Sequence, residues 1–141
     1  MLRMLMTMMH ARTASTILPF VKSTLSSQGV SQVTVVGHSL GAALALLDGV
    51  YLSLQLPGVT VNVVNYGMPR VGNQAFANFV DSQLDGRVAH VINREVPVPV
   101  LPPIFLGFHH PSGEVHIQDS GAWDVCPGAP SFFPRLVVAC R

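Results

Sequence analysis

The stretch "VTVVGHSLGAALALLDG", residues 33–49, decides how this chain is read. Val33, Thr34, Val35 and Val36 are β-branched and predict a short buried strand. Leu40 to Leu54, rich in alanine and leucine, predicts a helix directly behind it. Between them the chain must reverse within a few residues, and Gly37 and Gly41 lack the side chains that would crowd so tight a bend. Ser39 then stands at the apex. Gly37-His38-Ser39-Leu40-Gly41 is a G-x-S-x-G sequence, which in a strand-to-helix setting pushes the serine hydroxyl out at the carboxyl end of the strand, beside the amide dipoles of the helix. A hydroxyl so placed can be activated as a nucleophile by a neighbouring base.

Working outward, Ile17, Leu18, Val21 and Leu25 set an apolar stripe on a helix between about Thr13 and Gln28, with Pro19 moving its start toward Ile17. Pro57-Gly58 stops the helix after the bend, and Val59–Val64 predicts the next strand. Strand, helix and strand in that order imply a parallel pair with a crossover, hence an α/β sheet. Phe76, Phe79, Val80 and Leu84 form a second helical stripe, Val88–Ile92 another strand, and Glu114–Ile117 a last one. The proline-rich "VPVPVLPP", residues 96–103, predicts an extended edge or loop.

With 141 residues the chain forms a single domain or part of one. Only 11% of its residues are charged and 49% are hydrophobic, the composition of an interior short of its outer shell, which implies exposed apolar surface. The net charge of +1, with lysines and arginines scattered, argues against a nucleic-acid partner. No run approaches the length of a transmembrane span, and the broken methionine-rich residues 1–9 do not form a signal peptide. Cys126 and Cys140 either bridge or remain free thiols, and neither has companions at metal-ligand spacing, so neither a metal nor a cofactor is expected.

Five stretches, "VTVVGHSLGAALALL", "NYGMPRVGNQAFANFVDS", "HVINR", "VPVLPP" and "GFHHPSGEVHI", stand in the order and spacing of the fungal class 3 lipases. Over roughly residues 10–126 the chain resembles that family, and residues 127–141 diverge. The resemblance implies an incomplete α/β-hydrolase fold, a mostly parallel sheet with flanking helices and a nucleophile elbow. It also implies hydrolysis of triacylglycerols or related lipid esters through a seryl acyl-enzyme, contact with a lipid interface, and a family habit of secretion. Ser39 is then the nucleophile, and the backbone N–H of Leu40 one oxyanion donor, with Gly37, His38 and Gly41 shaping the elbow.

Departures from the family matter as much. The family's acidic residue falls on Val96, within Asn93-Arg94-Glu95-Val96-Pro97, and valine cannot orient an imidazole. Glu95 is adjacent and is the surrogate acid to consider, although an extended chain points it the other way. The family's histidine lies beyond the cysteine that Cys126 resembles, and residues 129–141 contain none, so the catalytic histidine is unassigned. His109, His110 and His116 match a surface hairpin, His38 is the elbow's variable residue, His90 is a strand histidine, and His10 is expected just before the first helix. Arg70 is placed to pair with Asp81 or Asp85 or to brace its own loop. Residues 1–9 match none of the strands, lid helix or second oxyanion donor that precede this region in the family. The expectation is the middle of a lipase, cut at both ends, with weak or absent turnover; a non-catalytic lipid- or partner-binding fragment is the alternative.

Overall fold

A computed structural model of the chain describes residues 2–126. The divergent tail at 127–141, and with it Cys140, lies outside the described residues.

The strand before the bend, β1 (Gln32–His38), runs into α2 (Leu40–Gln55), which returns to β2 (Thr60–Tyr66) lying parallel to β1. After the short β3 (Gly72–Asn73) and α3 (Gln74–Leu84), β4 (Val88–Asn93) adds parallel to β2. β6 (Glu114–Ile117) adds parallel to β4, and β7 (Trp123–Val125) closes the sheet antiparallel, giving the order β1-β2-β4-β6-β7. A separate two-residue ladder joins β3 to β5 (Phe108–His109). Neither β3, β5 nor β7 has a pattern long enough to announce itself in sequence.

The core lies where α2 crosses β1 and β2. Ala42, Ala43 and Leu46 of α2 meet Val61 and Val63 of β2, with Val80 and Leu84 of α3 and Met68 closing the side. Small residues on α2 permit this approach: a Cβ at Gly49 would come within 2.3 Å of Val63 Cγ2. The predicted stripe on α3 needs one correction, because Phe79 is 41% exposed and Ala77 takes the inward place beside Val80 and Leu84. The opposite face of β1 is open: Val33 and Val35 pack toward the core, whereas Thr34 and Val36 alternate outward and Val36 is 61% exposed. Among the described strands β1 is an edge.

Two local expectations are overturned. The first helix, α1 (Leu2–Gln28), begins far upstream of Ile17 and runs through Pro19. Pro19 removes the bond to the carbonyl of Ser15, but both residues are exposed, so water can take that carbonyl while Leu18, Val21 and Leu25 stay on the core. Upstream, half-buried His10 ties the helix to Asp48 and Tyr51 of α2, and Ala14 is buried one turn on; His10 therefore lies inside α1, not ahead of it. The proline-rich segment is not extended either. Val98–Val100 forms a 3-10 turn with Pro99 buried, and a second turn covers Ile104–Leu106. Proline fixes φ near the helical range as readily as it suits an extended chain.

Candidate active site at the strand-to-helix bend

Ser39 sits at φ 53° and ψ −125°, a backbone region that costs a non-glycine residue on the order of 1–3 kcal/mol. The strain is held by its surroundings. Its N–H donates to Tyr66 O at 3.0 Å, its carbonyl accepts from Ala42 N–H at 3.0 Å, and α2 starts at the next residue. The Ser39 side chain makes no capping bond to α2, so the hydroxyl is not used as a helix cap. The Leu40 N–H opens the first turn of α2, where amides have no intrahelical acceptor and the helix dipole presents its positive end.

Gly37 is the glycine that the bend requires. A Cβ there would lie 2.4 Å from Gly41 O and 2.6 Å from Ala42 Cα, both backbone atoms that cannot move aside. Gly41 does not share that role: nothing lies within 4 Å of where its Cβ would be, which corrects the expectation that both glycines relieve crowding. His38, beside Ser39, is exposed.

The carboxyl end of β2 lies against the bend, since Tyr66, its last residue, accepts the Ser39 N–H, and the next loop starts there. Gly67 turns it at φ 57° with its N–H on Val91 O at 2.8 Å. Arg70, two residues before β3, does not pair with Asp81 or Asp85; Asp81 accepts from the Ser112 N–H and hydroxyl, and Asp85 faces Arg87 at 3.9 Å. Nor does it brace only its own loop. Its guanidinium donates to Val100 O and Pro102 O and its N–H to Leu101 O, tying the proline-rich segment down from 30 residues away. Burial lowers the Arg70 pKa, opposed by the carboxylate of Glu114.

The chain turns at Arg94 and Glu95, just before Val96, where the resemblance puts the family's acid. Arg94 adopts φ 55° and its N–H bonds to Ile117 O, so the chain reverses after β4 instead of continuing extended, and both Glu95 and Val96 are exposed. The premise that extended geometry points Glu95 away is therefore replaced by a bend.

The histidines separate by environment. His10 Nδ1 is 2.8 Å from Asp48 Oδ1 and its ring stands edge-on to Tyr51, joining α1 to α2. His90 is fully buried, and burial, with His110 beside it, lowers its pKa to about 3. His110 is half-buried in its hairpin with its ring turned inward: it stacks on His90 at 4.8 Å, donates to Pro99 O, and burial lowers its pKa to about 4. The roles of Arg70, His10 and His110 have no local sequence signal, because each partner lies 11 to 38 residues away. Cys126 is disulfide-bonded. Among the described residues, no cluster of three or more His, Cys, Asp or Glu could hold a metal, and no helix is long and apolar enough to cross a membrane.

Against known proteins, the family described as "Lipase (class 3)" matches residues 1–106. The chain is 40% identical over 121 residues to the secreted mono- and diacylglycerol lipase MDL2 of Malassezia globosa, a match that spans 84% of this chain and 40% of that relative. It superposes on lipase II from Rhizopus niveus with a TM-score of 0.80 at 31% identity, covering 86% of this chain and 47% of that one. It also superposes, at TM-score 0.75 and 33% identity, on a triacylglycerol lipase described as having a serine protease triad at its catalytic centre, covering 82% and 44%. The chain thus spans about 40% of the length of the curated relatives it matches.

Proposed function

The chain belongs to the class 3 lipase family, with the α/β-hydrolase fold of its structural relatives, and from that premise we propose that it is a serine-dependent hydrolase of lipid esters. The observation that supports this most is the backbone of Ser39, held at φ 53° between β1 and α2 with its hydroxyl unused by the helix. Ser39 is the nucleophile that attacks the ester carbonyl, and the Leu40 N–H is one donor to the oxyanion that forms. Loss of a single such donor costs about 3–4 kcal/mol of transition-state stabilisation. Acylglycerols are the substrate class, as the names of the curated relatives suggest, and secretion agrees with the "secreted" in those names and with the disulfide at Cys126.

Turnover by these 141 residues is weak in this reading. Val96 stands where the family has its acid, and Glu95, in the turn beside it, is the residue proposed to substitute. Without a carboxylate to orient the imidazole, serine hydrolases lose about 10⁴ in kcat. A fluorophosphonate probe, which needs an activated serine, tests the proposal: folded protein labels at Ser39 and Ser39→Ala does not. A folded sample that fails to label refutes the nucleophile. Hydrolysis of p-nitrophenyl butyrate by wild type and Glu95→Gln then measures turnover and the surrogate acid.

One feature favours a second reading, a non-catalytic lipid-binding surface. Val100, Leu101, Ile104, Phe105 and Leu106 are all more than half exposed on a charge-free loop, Phe105 at 86%. Liposome binding unchanged by Ser39→Ala, in protein that the probe does not label, supports that reading over the enzyme.

A further inference from the structure

His90 and His110 come from different elements, β4 and the residue after β5, yet their rings stack at 4.8 Å with 18° between planes. Each spends its Nε2 on a proline carbonyl, His90 on Pro111 O at 3.1 Å and His110 on Pro99 O at 2.9 Å. A carbonyl only accepts, so both Nε2 atoms carry hydrogen and, in the neutral rings, both Nδ1 atoms are bare lone pairs. Both Nδ1 atoms are buried without a partner, as is Oδ1 of Asn65, the register neighbour of His90 on β2. A proton added at either Nδ1 would place a charge in this corner against the second ring.

The charges around the pair make that addition costly. Arg70 approaches His110 from the loop after β2. Glu114, the register neighbour of His90 on β6, is a carboxylate that acts on Arg70. From α3, Asp81 is occupied by the N–H and hydroxyl of Ser112. His109 on β5 pairs with Gly72 of β3, and Asn65 on β2 is neutral. Two imidazolium rings in stacking contact beside a guanidinium would repel one another with little water to screen them.

The pair also has a mechanical position. The segment from Val96 to Leu106 contains Pro97, Pro99, Pro102 and Pro103, which have no N–H of their own to offer the sheet. It is fastened by what other elements donate to it: Arg70 to Val100 O, Leu101 O and Pro102 O, and His110 to Pro99 O. His90 in turn supports the His110 ring from below and ties Pro111, the residue that follows His110.

We propose that His90 and His110 form an acid-released latch: as neutral stacked rings they fasten the Val96–Leu106 segment to the sheet, and protonation of the pair frees that segment while the core stays folded. The depressed pKa values of both rings, about 3 and about 4, agree with a latch closed at neutral pH and opened only in acid. The latch does not depend on Ser39 being a working nucleophile.

Nitrogen-15 NMR of the imidazoles, with hydrogen exchange of backbone amides on the whole chain, tests it. At about pH 7 both rings are expected as neutral Nε2–H tautomers, with titration midpoints at least one unit below the ordinary 6.5. As they titrate, the Arg70 amide, which donates to Leu101 O, exchanges about tenfold faster after correction for intrinsic rates, while the Val63 amide on β2 follows global stability and stays the better protected of the two at every pH. In His110→Gln, a side chain that can still donate to Pro99 O but takes up no proton, Arg70 protection persists into acid. Rings that titrate near 6.5 overturn the latch. So does Arg70 protection that is unchanged across the titration, that only ever equals that of Val63, or that is lost in His110→Gln as in wild type.

Discussion

Replacing Ser39 by glycine should stabilise the fold while removing its chemistry. At φ 53° and ψ −125° a serine pays conformational strain of about 2 kcal/mol that glycine does not. Against this, glycine gives up about 0.5–1 kcal/mol more backbone entropy on folding. The hydroxyl makes no capping bond, so little else is lost. Ser39→Ala keeps the strain and removes the same hydroxyl, which makes it the proper reference. Ser39→Gly should exceed Ser39→Ala by about 1 kcal/mol. With an unfolding entropy of about 2.1 cal/mol/K per residue, that is a rise of roughly 3 °C in Tm for a chain of this size, or about 0.5 M in urea midpoint. Urea melts of the two variants side by side, fitted with a common slope, measure it. A glycine variant no more stable than the alanine one refutes the claim that the bend is strained, and with it the physical argument for an elbow at Ser39.

Other outcomes follow from the same geometry. Gly37→Ala forces a Cβ to within 2.4 Å of Gly41 O and should cost at least about 1–3 kcal/mol and abolish probe labelling, read by thermal melts and gel fluorescence. Leu46→Ala empties a fully buried site on α2 and should cost about 2–5 kcal/mol in urea unfolding. Arg70→Ala removes a cationic donor from two carbonyls and should cost about 1.5–3 kcal/mol, with faster proteolysis confined to the Val96–Leu106 segment. On pH, His90 and His110 have folded values of about 3 and about 4, below the ordinary 6.5, so in that window the unfolded chain binds more protons. Their contribution is complete above about pH 6.5 and shrinks as pH falls toward 4 and then 3, by a few kcal/mol in all. Urea midpoints across that range should decline with acid, and His110→Gln should flatten the decline.

The bend and its flanking elements were legible because their signals are local. Four β-branched residues, a glycine that a tight reversal demands, and a long alanine-leucine run each constrain the backbone within a few residues of themselves, and β1, α2, β2, α3, β4 and β6 all appear where their periodicity places them. The resemblance to class 3 lipases rests on the same local stretches in order, and it is the part of the functional reading that the comparisons support. What escaped is governed by partners distant in sequence. α1 continues through Pro19 because His10 meets Asp48, 38 residues on, and because the stranded carbonyl faces solvent. The proline-rich segment curls into 3-10 turns under Arg70 and His110, and His110 is drawn inward by a ring on another strand. Local chemistry sets which backbone shapes are cheap at each residue; only the assembled tertiary structure decides which buried donor meets which carbonyl, since a hydrogen bond across the chain leaves no periodic trace in the sequence that makes it.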